Sequence, residues 1–462
     1  MTSAVLAGSL TILFVSTAYA QPTLIAHDTL TSSRAGSYAD LSGLKGTLEN
    51  GAAANLLGGF GSGIAHINGD QFVAVPDRGP NAVPFDSDID DTVSYINRFH
   101  TIKMNLKPNK GSGLPYTIDP ELQATTLLFN LTPLTYGSGV GLGVGSGEPK
   151  QNNFLQHYFT GRSDNFDPNR NSGDANDARL DPESIRLSND GLSVFISDEY
   201  GPYVYQFLRF SGLRIRTFQL PEKFFVSTLS PMGAVEIANN TSGRVANKGM
   251  EGLAITPDGR TLVGIVQNAL IQDANDGAPN LLRIVTIDLA SGRTTHEYPY
   301  LLTTGSGVSD LVALNNHEFL VDERDGKGLA DVPGEKAKFK QIFKIDLNGA
   351  TDISNMAGAE AQTHAVTKSL FLDIVKALTD PALGSAAVTA DLIPAKIEGT
   401  AFGPDVVVNG VKMHTFWIAN DNDFLQDFNG VKNSNPNQFW VFGVKDSDLG
   451  GSIYVPQQIP SF

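Results

Sequence analysis

An all-β propeller is the fold class this sequence predicts, on three observations. A strand–turn–strand unit recurs five times along the chain. Turn formers are abundant, with 47 glycines and 24 prolines among 462 residues, as many short elements joined by tight turns require. Only one segment, LFLDIVKALTD (370–380), carries apolar residues at clear helical spacing.

The first unit runs from Ser62-Gly63-Ile64 through the turn Asn68-Gly69-Asp70 to FVAVPDRGP, which holds Asp77 and Arg78. The second starts at Glu183, turns at Asn189-Asp190-Gly191 and ends on Asp198-Glu199. The third, MEGLAITPDGRTLVGIVQN, has Glu251 before Pro257-Asp258-Gly259. The fourth, SDLVALNNHEFLVDERD, runs from Asp310 over Asn315-Asn316 to Asp322, Glu323, Arg324 and Asp325. The fifth begins Ile397-Glu398-Gly399 and reaches WIANDNDF, with Asp421. Each unit reads as two antiparallel strands with Asn-Gly, Asp-Gly or Asn-Asn turn chemistry.

Two further strand-like runs follow most units, as in LLRIVTIDLASGRTTHEY and KQIFKIDLNGATDI, where Ser291-Gly292 and Asn348-Gly349 mark hairpin turns. Four strands per repeat is the arithmetic of propeller blades. Five repeats are visible, TLIAHDTL (23–30) is placed to complete the last sheet, and the length leaves room for a sixth, so five to six blades are expected with six favoured. In the wide gap after the first unit, RFHTIKMNL and LQATTLLFNL read as strands. The insertion over about 129–181 ends in a polar stretch, TGRSDNFDPNRNSGDANDARLD, expected to form a surface loop and a candidate lid. The glycine run 137–147 reads as a flexible loop, and the 370–380 helix as packing on the rim.

Residues 1–20 form an apolar run ending Ala18-Tyr19-Ala20, which reads as a signal peptide with residues 21–462 as one propeller domain. The first basic residue is Arg34, so the usual basic leader is missing, and an uncleaved anchor is the competing reading. The chain contains no cysteine, which excludes disulfides, thiolate metal sites and cysteine nucleophiles. Export without disulfides suits a bacterial periplasm or medium, and the sequons at Asn130 and Asn240 then read as coincidental. A formal charge of −16 argues against nucleic acid and anionic membrane surfaces and is compatible with cation binding.

Acids bracket the strand pairs. At equivalent blade positions Glu183, Glu251, Asp310 and Glu398 would converge on one mouth of the axial channel, meeting Asp77, Asp198, Glu199, Asp322, Glu323 and Asp421 from neighbouring turns. Crowded carboxylates repel unless cations neutralise them. Oxygen-only donors at variable spacing suit calcium. Arg78, Lys248 and Arg324 sit beside the clusters, with Arg186 and Lys396 near the other two; they would either salt-bridge the acids or grip a phosphate or carboxylate oxygen. Asp86, Asp88, Asp90 and Asp91 form a weaker calcium-loop candidate. His66 and His317 read as turn residues, and Ser62 and Ser184 have no evident base, which disfavours a serine esterase.

At GFGSGIAHINGDQFVAVPDRGP, LDPESIRLSNDGLSVFISDEYG, NKGMEGLAITPDGRTLVGIVQN and KIEGTAFGPD…WIANDND, the chain resembles the phytase-like propeller family described as "esterase-like activity of phytase". The resemblance runs from about Leu41 to Gly443. It implies an exported propeller that hydrolyses phosphoric or carboxylic esters with help from calcium. The leading expectation is a calcium-assisted phosphoric-ester hydrolase in which Glu251, Glu183, Arg78, Lys248 and Arg324 act on a small-molecule ester. The alternatives are a carboxylic-ester or lactone hydrolase on the same site, and a ligand-binding propeller without turnover.

Overall fold

A computed structural model describes residues 21–81, 92–137, 146–162, 170–201, 203–230 and 232–461. The candidate signal peptide, the acids at 86–91 and the glycines at 138–145 lie outside the described residues.

Five four-stranded antiparallel sheets make five blades. Their innermost strands are Gly63–Asn68, Pro182–Leu187, Met250–Ile255, Gly307–Ala313 and Ile397–Val408. Each touches the next, and the fifth touches the first, so the ring is closed. The five repeats are the first two strands of the five blades. Five blades fall within the five to six expected, and the sixth that was favoured is not needed to close the ring. The surplus length instead forms two-residue strand pairs such as Phe129–Asn130 with His157–Tyr158, a seven-residue helix at Gly233–Asn239, and long connections.

Thr23–Leu30 pairs antiparallel with Asn437–Val444 as the outer strand of the fifth blade. The first strand of the chain thus closes its last sheet. Arg98–Lys103 and Glu121–Leu127, both expected as strands, complete the first blade. The apolar face of each sheet packs on its neighbour: Trp417, Phe72 and Phe439 fill the joint between the fifth and first blades, Phe195, Val263 and Phe218 that between the second and third. Each such buried side chain contributes about 1.5–3 kcal/mol. Packing is tight enough that a Cβ on Gly403 would lie 2.3 Å from the Trp417 ring nitrogen.

Three local expectations are corrected. Residues 370–380 are not one helix: Lys368–Asp373 is the outer strand of the fourth blade, and only Ile374–Leu378 is helical, with the Asp373 side chain accepting from Lys376 N. Strand pairing with Lys340–Asp346 overrides the helical spacing there. Asn348-Gly349 turns the chain, but the partner strand begins only at Lys368. The polar stretch after 159 does not lie wholly on the surface: Phe159, Ala178 and Leu180 enter the core between the first and second blades. Hydrogen bonds Thr160 N to Ala178 O and Leu180 N to Thr160 O, both 3.0 Å, satisfy its backbone there.

The side-chain amides of Asn130 and Asn240 are buried and bonded to Thr132 and Thr228, which leaves neither sequon free for a glycan in the folded chain.

The channel has two unlike ends. At the waist the Arg186 guanidinium grips both oxygens of Asp310, at 2.9 and 2.8 Å. Below that plug the C-terminal tail crosses the far mouth, held by Val455 N to Leu314 O and Gln457 Nε2 to Leu187 O. The other mouth carries the acids.

Candidate functional site at the acidic mouth

Strand register builds the site. In four blades the innermost strand is bulged near its start, between Pro182 and Ile185, Met250 and Gly252, Val308 and Asp310, and Ile397 and Gly399. A bulge adds one residue and re-aims it. The added positions carry Glu183, Glu251, Ser309 and Glu398. At the end of the paired stretch of each second strand, or one to two residues beyond it, come Asp77, Glu199, Gln267, Arg324 and Asp421. Two tiers of polar side chains thus surround one end of the axis. The acids flanking the strand pairs exist because repeated register delivers both flanks to the same mouth.

Within this frame three predicted ligands take other roles. Asp310 stands one residue beyond the bulge, level with Gly252 and Gly399. There it also accepts from Ser184 Oγ at 3.0 Å, Thr400 N at 2.9 Å and Thr400 Oγ1 at 2.8 Å. Every lone-pair direction is in use, so Asp310 is part of the plug. Asp198 pairs with Pro182 and turns toward the backbone, accepting from Asp181 N, Tyr200 N and Gly201 N. Its neighbour Glu199 is the residue that enters the mouth. Asp322, opposite Asp310 in register, is 1% exposed, and neither carboxylate oxygen has a hydrogen-bond partner.

The other predicted residues are brought together. Asp77, Asp421 and Asp423 each present a carboxylate oxygen within 4.8 Å of the other two, and so do Asp181, Glu183 and Glu199. Arg78 bonds Asp181 through both its backbone N–H (3.0 Å) and Nη1 (2.9 Å). Lys396 spans Asp421 (2.9 Å) and Asp423 (2.5 Å). Arg324 pairs with Glu398. Exposed Lys248 reaches Gln267 Oε1 at 3.2 Å, and Gln267 donates to Glu251 Oε1 at 2.7 Å. Glu199 was among the acids expected at this mouth; Asp181 and Asp423 were not. Asp181 precedes its strand and Asp423 follows a turn, with no repeat to mark them.

Burial and like charge raise the acids. Glu183 is pushed well above the carboxylate range by burial first and then by Glu251, Asp181, Glu199 and Glu398. Asp77 is raised by burial and then by Asp421. Glu199 is pushed up to about 7 by burial and Asp181, and Asp421 to about 7 by burial. The Glu199 and Glu251 carboxyls stand in hydrogen-bonding contact, and Glu199 Oε1 and Glu251 Oε2 receive no bond from any nitrogen or hydroxyl. Two carboxyls can meet in that way only around a shared proton or a cation. Oxygen donors alone, several of them buried and unsatisfied, fit a hard divalent cation such as calcium.

Serine chemistry has no support at this mouth. Ser62 Oγ donates to Gly59 O at 3.1 Å and Ser184 Oγ to Asp310, neither to a histidine. His66 binds Gly69 O in a hairpin turn at the opposite mouth, and exposed His317 pairs with Asp346.

Fold and site together define a five-bladed β-propeller with a carboxylate-lined, cation-flanked axial mouth. The chain belongs to the phytase-like family described as "esterase-like activity of phytase", whose pattern matches residues 55–424. A relative from Arthroderma benhamiae, described as an uncharacterized secreted protein, is 30% identical over 284 residues, covering 54% of this chain and 52% of that protein. The chain thus spans about half of that relative's length. Among solved structures, a protein of unknown function from Dyadobacter fermentans aligns at TM-score 0.34 and 10% identity over 91% of this chain and 99% of that one. Kuenenia stuttgartiensis hydrazine synthase aligns at 0.31 and 10% over 87% and 89%. Both likenesses are slight. Among the described residues no helix is long and apolar enough to cross a membrane.

Proposed function

We propose that this protein is an exported, calcium-assisted ester hydrolase whose site is the acidic mouth, with phosphoric esters as its preferred substrates. One observation carries the reading: two separate carboxylate triads, Asp77/Asp421/Asp423 and Asp181/Glu183/Glu199, flank one opening beside Arg78, Lys396 and Lys248. The triads would hold the ions, with Glu251 and Glu398 facing them from the inner tier. Calcium bound there supplies Lewis-acid polarisation of the ester and a lowered pKa for the attacking water. Arg78 and Lys248 orient the substrate's anionic oxygens, and Arg324 balances charge that develops in the transition state. The plug and the tail close the channel below, so substrate enters and leaves by the same mouth.

Family membership supports ester hydrolysis, and the secreted relative supports export. A second reading, a binding propeller without turnover, is favoured by the pairing of Arg78, Lys396 and Arg324 with acids, which rigidifies the ring. The deciding experiment measures phosphate release from phytate and an aryl phosphate by the mature chain, with calcium and with chelator. Calcium-dependent release that is lost in Glu251→Gln is expected. Hydrolysis of aryl acetates or lactones alone moves the reading to carboxylic esters, and calcium-dependent melting without any turnover moves it to binding.

A further inference from the structure

Arg78 stands between the two carboxylate triads. It lies within electrostatic reach of Asp77 in one and of Asp181, Glu183 and Glu199 in the other. Its backbone is clamped: Arg78 N donates to Asp181 Oδ1 at 3.0 Å, and a Cβ on Gly161 would lie 1.6 Å from Arg78 O. What remains to be set is the direction of the side chain, and two acceptors set it. Nη1 donates to Asp181 Oδ2 at 2.9 Å and to Asn247 Oδ1 at 2.5 Å. Among the described residues Nη2 has no hydrogen-bond partner, and unlike the buried, unpartnered Nε it keeps contact with solvent.

Asn247 reaches Arg78 from outside the repeat. It lies in the turn Val245–Lys248, closed by Lys248 N to Val245 O at 3.1 Å, in the connection that follows the helix Gly233–Asn239. Both flanks of that turn are pinned. Arg244 Nε donates to Tyr200 O at 2.7 Å, and Gln267 N donates to Gly249 O at 2.8 Å. Gly249 packs so closely on the second blade that a Cβ there would lie 2.0 Å from Glu199 O. Within the turn Asn247 has φ +54°, a left-handed conformation that asparagine tolerates and most side chains do not. Asn247 is exposed, so its bond to Arg78 adds little stability, because water can serve both groups. The bond holds the plane of the guanidinium instead. Its acceptor is neutral, so it orients Arg78 without cancelling charge that an anionic oxygen can use.

We propose that Asn247 is a positioning residue for substrate binding: by holding Nη1 it turns Arg78 Nη2 into the mouth, toward an anionic oxygen of the substrate. The inference rests on the assignment of Arg78 to substrate made above. A guanidinium already held in place loses less freedom when the anion arrives, so Asn247 acts on binding and not on the chemical step.

The test compares wild type with Asn247→Gly, which deletes the amide and still accepts the left-handed backbone. Calorimetry follows binding of benzylphosphonate, a non-hydrolysable mimic of an aryl phosphate, in saturating calcium, and KM and kcat are measured for aryl phosphate hydrolysis. Asn247→Gly should weaken benzylphosphonate binding and raise KM by about tenfold, with kcat within about twofold of wild type. Its melting temperature should stay within a few degrees. In an Arg78→Lys background, whose rotatable ammonium has no plane to hold, Asn247→Gly should change affinity by less than about twofold. A wild type that binds the phosphonate and hydrolyses no ester would overturn the hydrolase reading alone, and the binding arm would still decide the role of Asn247. Unchanged affinity in Asn247→Gly, an equal loss in the Arg78→Lys background, or a wild type that does not bind the phosphonate would overturn the proposal.

Discussion

The waist of the channel and its acidic mouth are built from the same strands and the same residue types, yet they treat charge in opposite ways. At the waist, Asp310 accepts from Arg186, Ser184 and Thr400 until nothing is left over. One strand away, Asp322 is equally buried and accepts from nothing. Glu199 and Glu251 face each other with oxygens likewise unfilled. A buried charge that serves the fold is paired and fully hydrogen-bonded, because desolvation is otherwise uncompensated. Buried carboxylates left unpaired weaken the empty fold and become useful when a cation arrives. The difference supports the proposal that the mouth is the functional end.

The comparison breaks most visibly at the waist. Arg186→Met leaves Asp310 buried without its partner and should cost about 3–5 kcal/mol in urea unfolding. A loss under about 1 kcal/mol would show that the plug is not structural. At the mouth the same kind of change should hurt activity instead: Glu183→Gln should lower calcium-dependent hydrolysis by about 100-fold or more, while stability in chelator holds or rises.

Asp322→Asn sharpens the contrast by sign. Removing a buried, unpartnered charge should raise stability in chelator at pH 8 by about 1–3 kcal/mol, whereas Asp310→Asn should lower it. Equal signs would dissolve the distinction.

pH tests the mouth as a whole. Glu199 and Asp421, each pushed up to about 7, keep protons in the folded chain that the unfolded chain has released. The folded state binds more protons, so stability in chelator should fall as pH rises from about 4 to about 7, by up to about 1.4 kcal/mol per pH unit for each group. Calcium should flatten that slope, and a slope that calcium leaves unchanged would argue against ion binding at these acids.

Much of the fold was legible because it is local. Asn-Gly and Asp-Gly turns and period-two alternation specify hairpins from a few consecutive residues, so all five leading strand pairs and the closing strand Thr23–Leu30 could be read directly. Blade number was not local: whether surplus length makes a sheet or a loop depends on which edges are free to pair. Residues 370–380 show the same limit, since helical spacing yielded to the open edge of Lys340–Asp346.

By itself, the sequence determined that acids recur at the flanks of most strand pairs, and therefore predicted one acidic mouth. Only the tertiary structure decided which acids remain available. A one-residue bulge separates Glu251, aimed into the mouth, from Asp310, locked into the plug, and one step along a strand separates Glu199 from Asp198. Side-chain direction reverses with each residue of a strand, and the donor that satisfies a buried carboxylate can come from any blade. Arg186 is far from Asp310 in sequence and 2.8 Å from it in space.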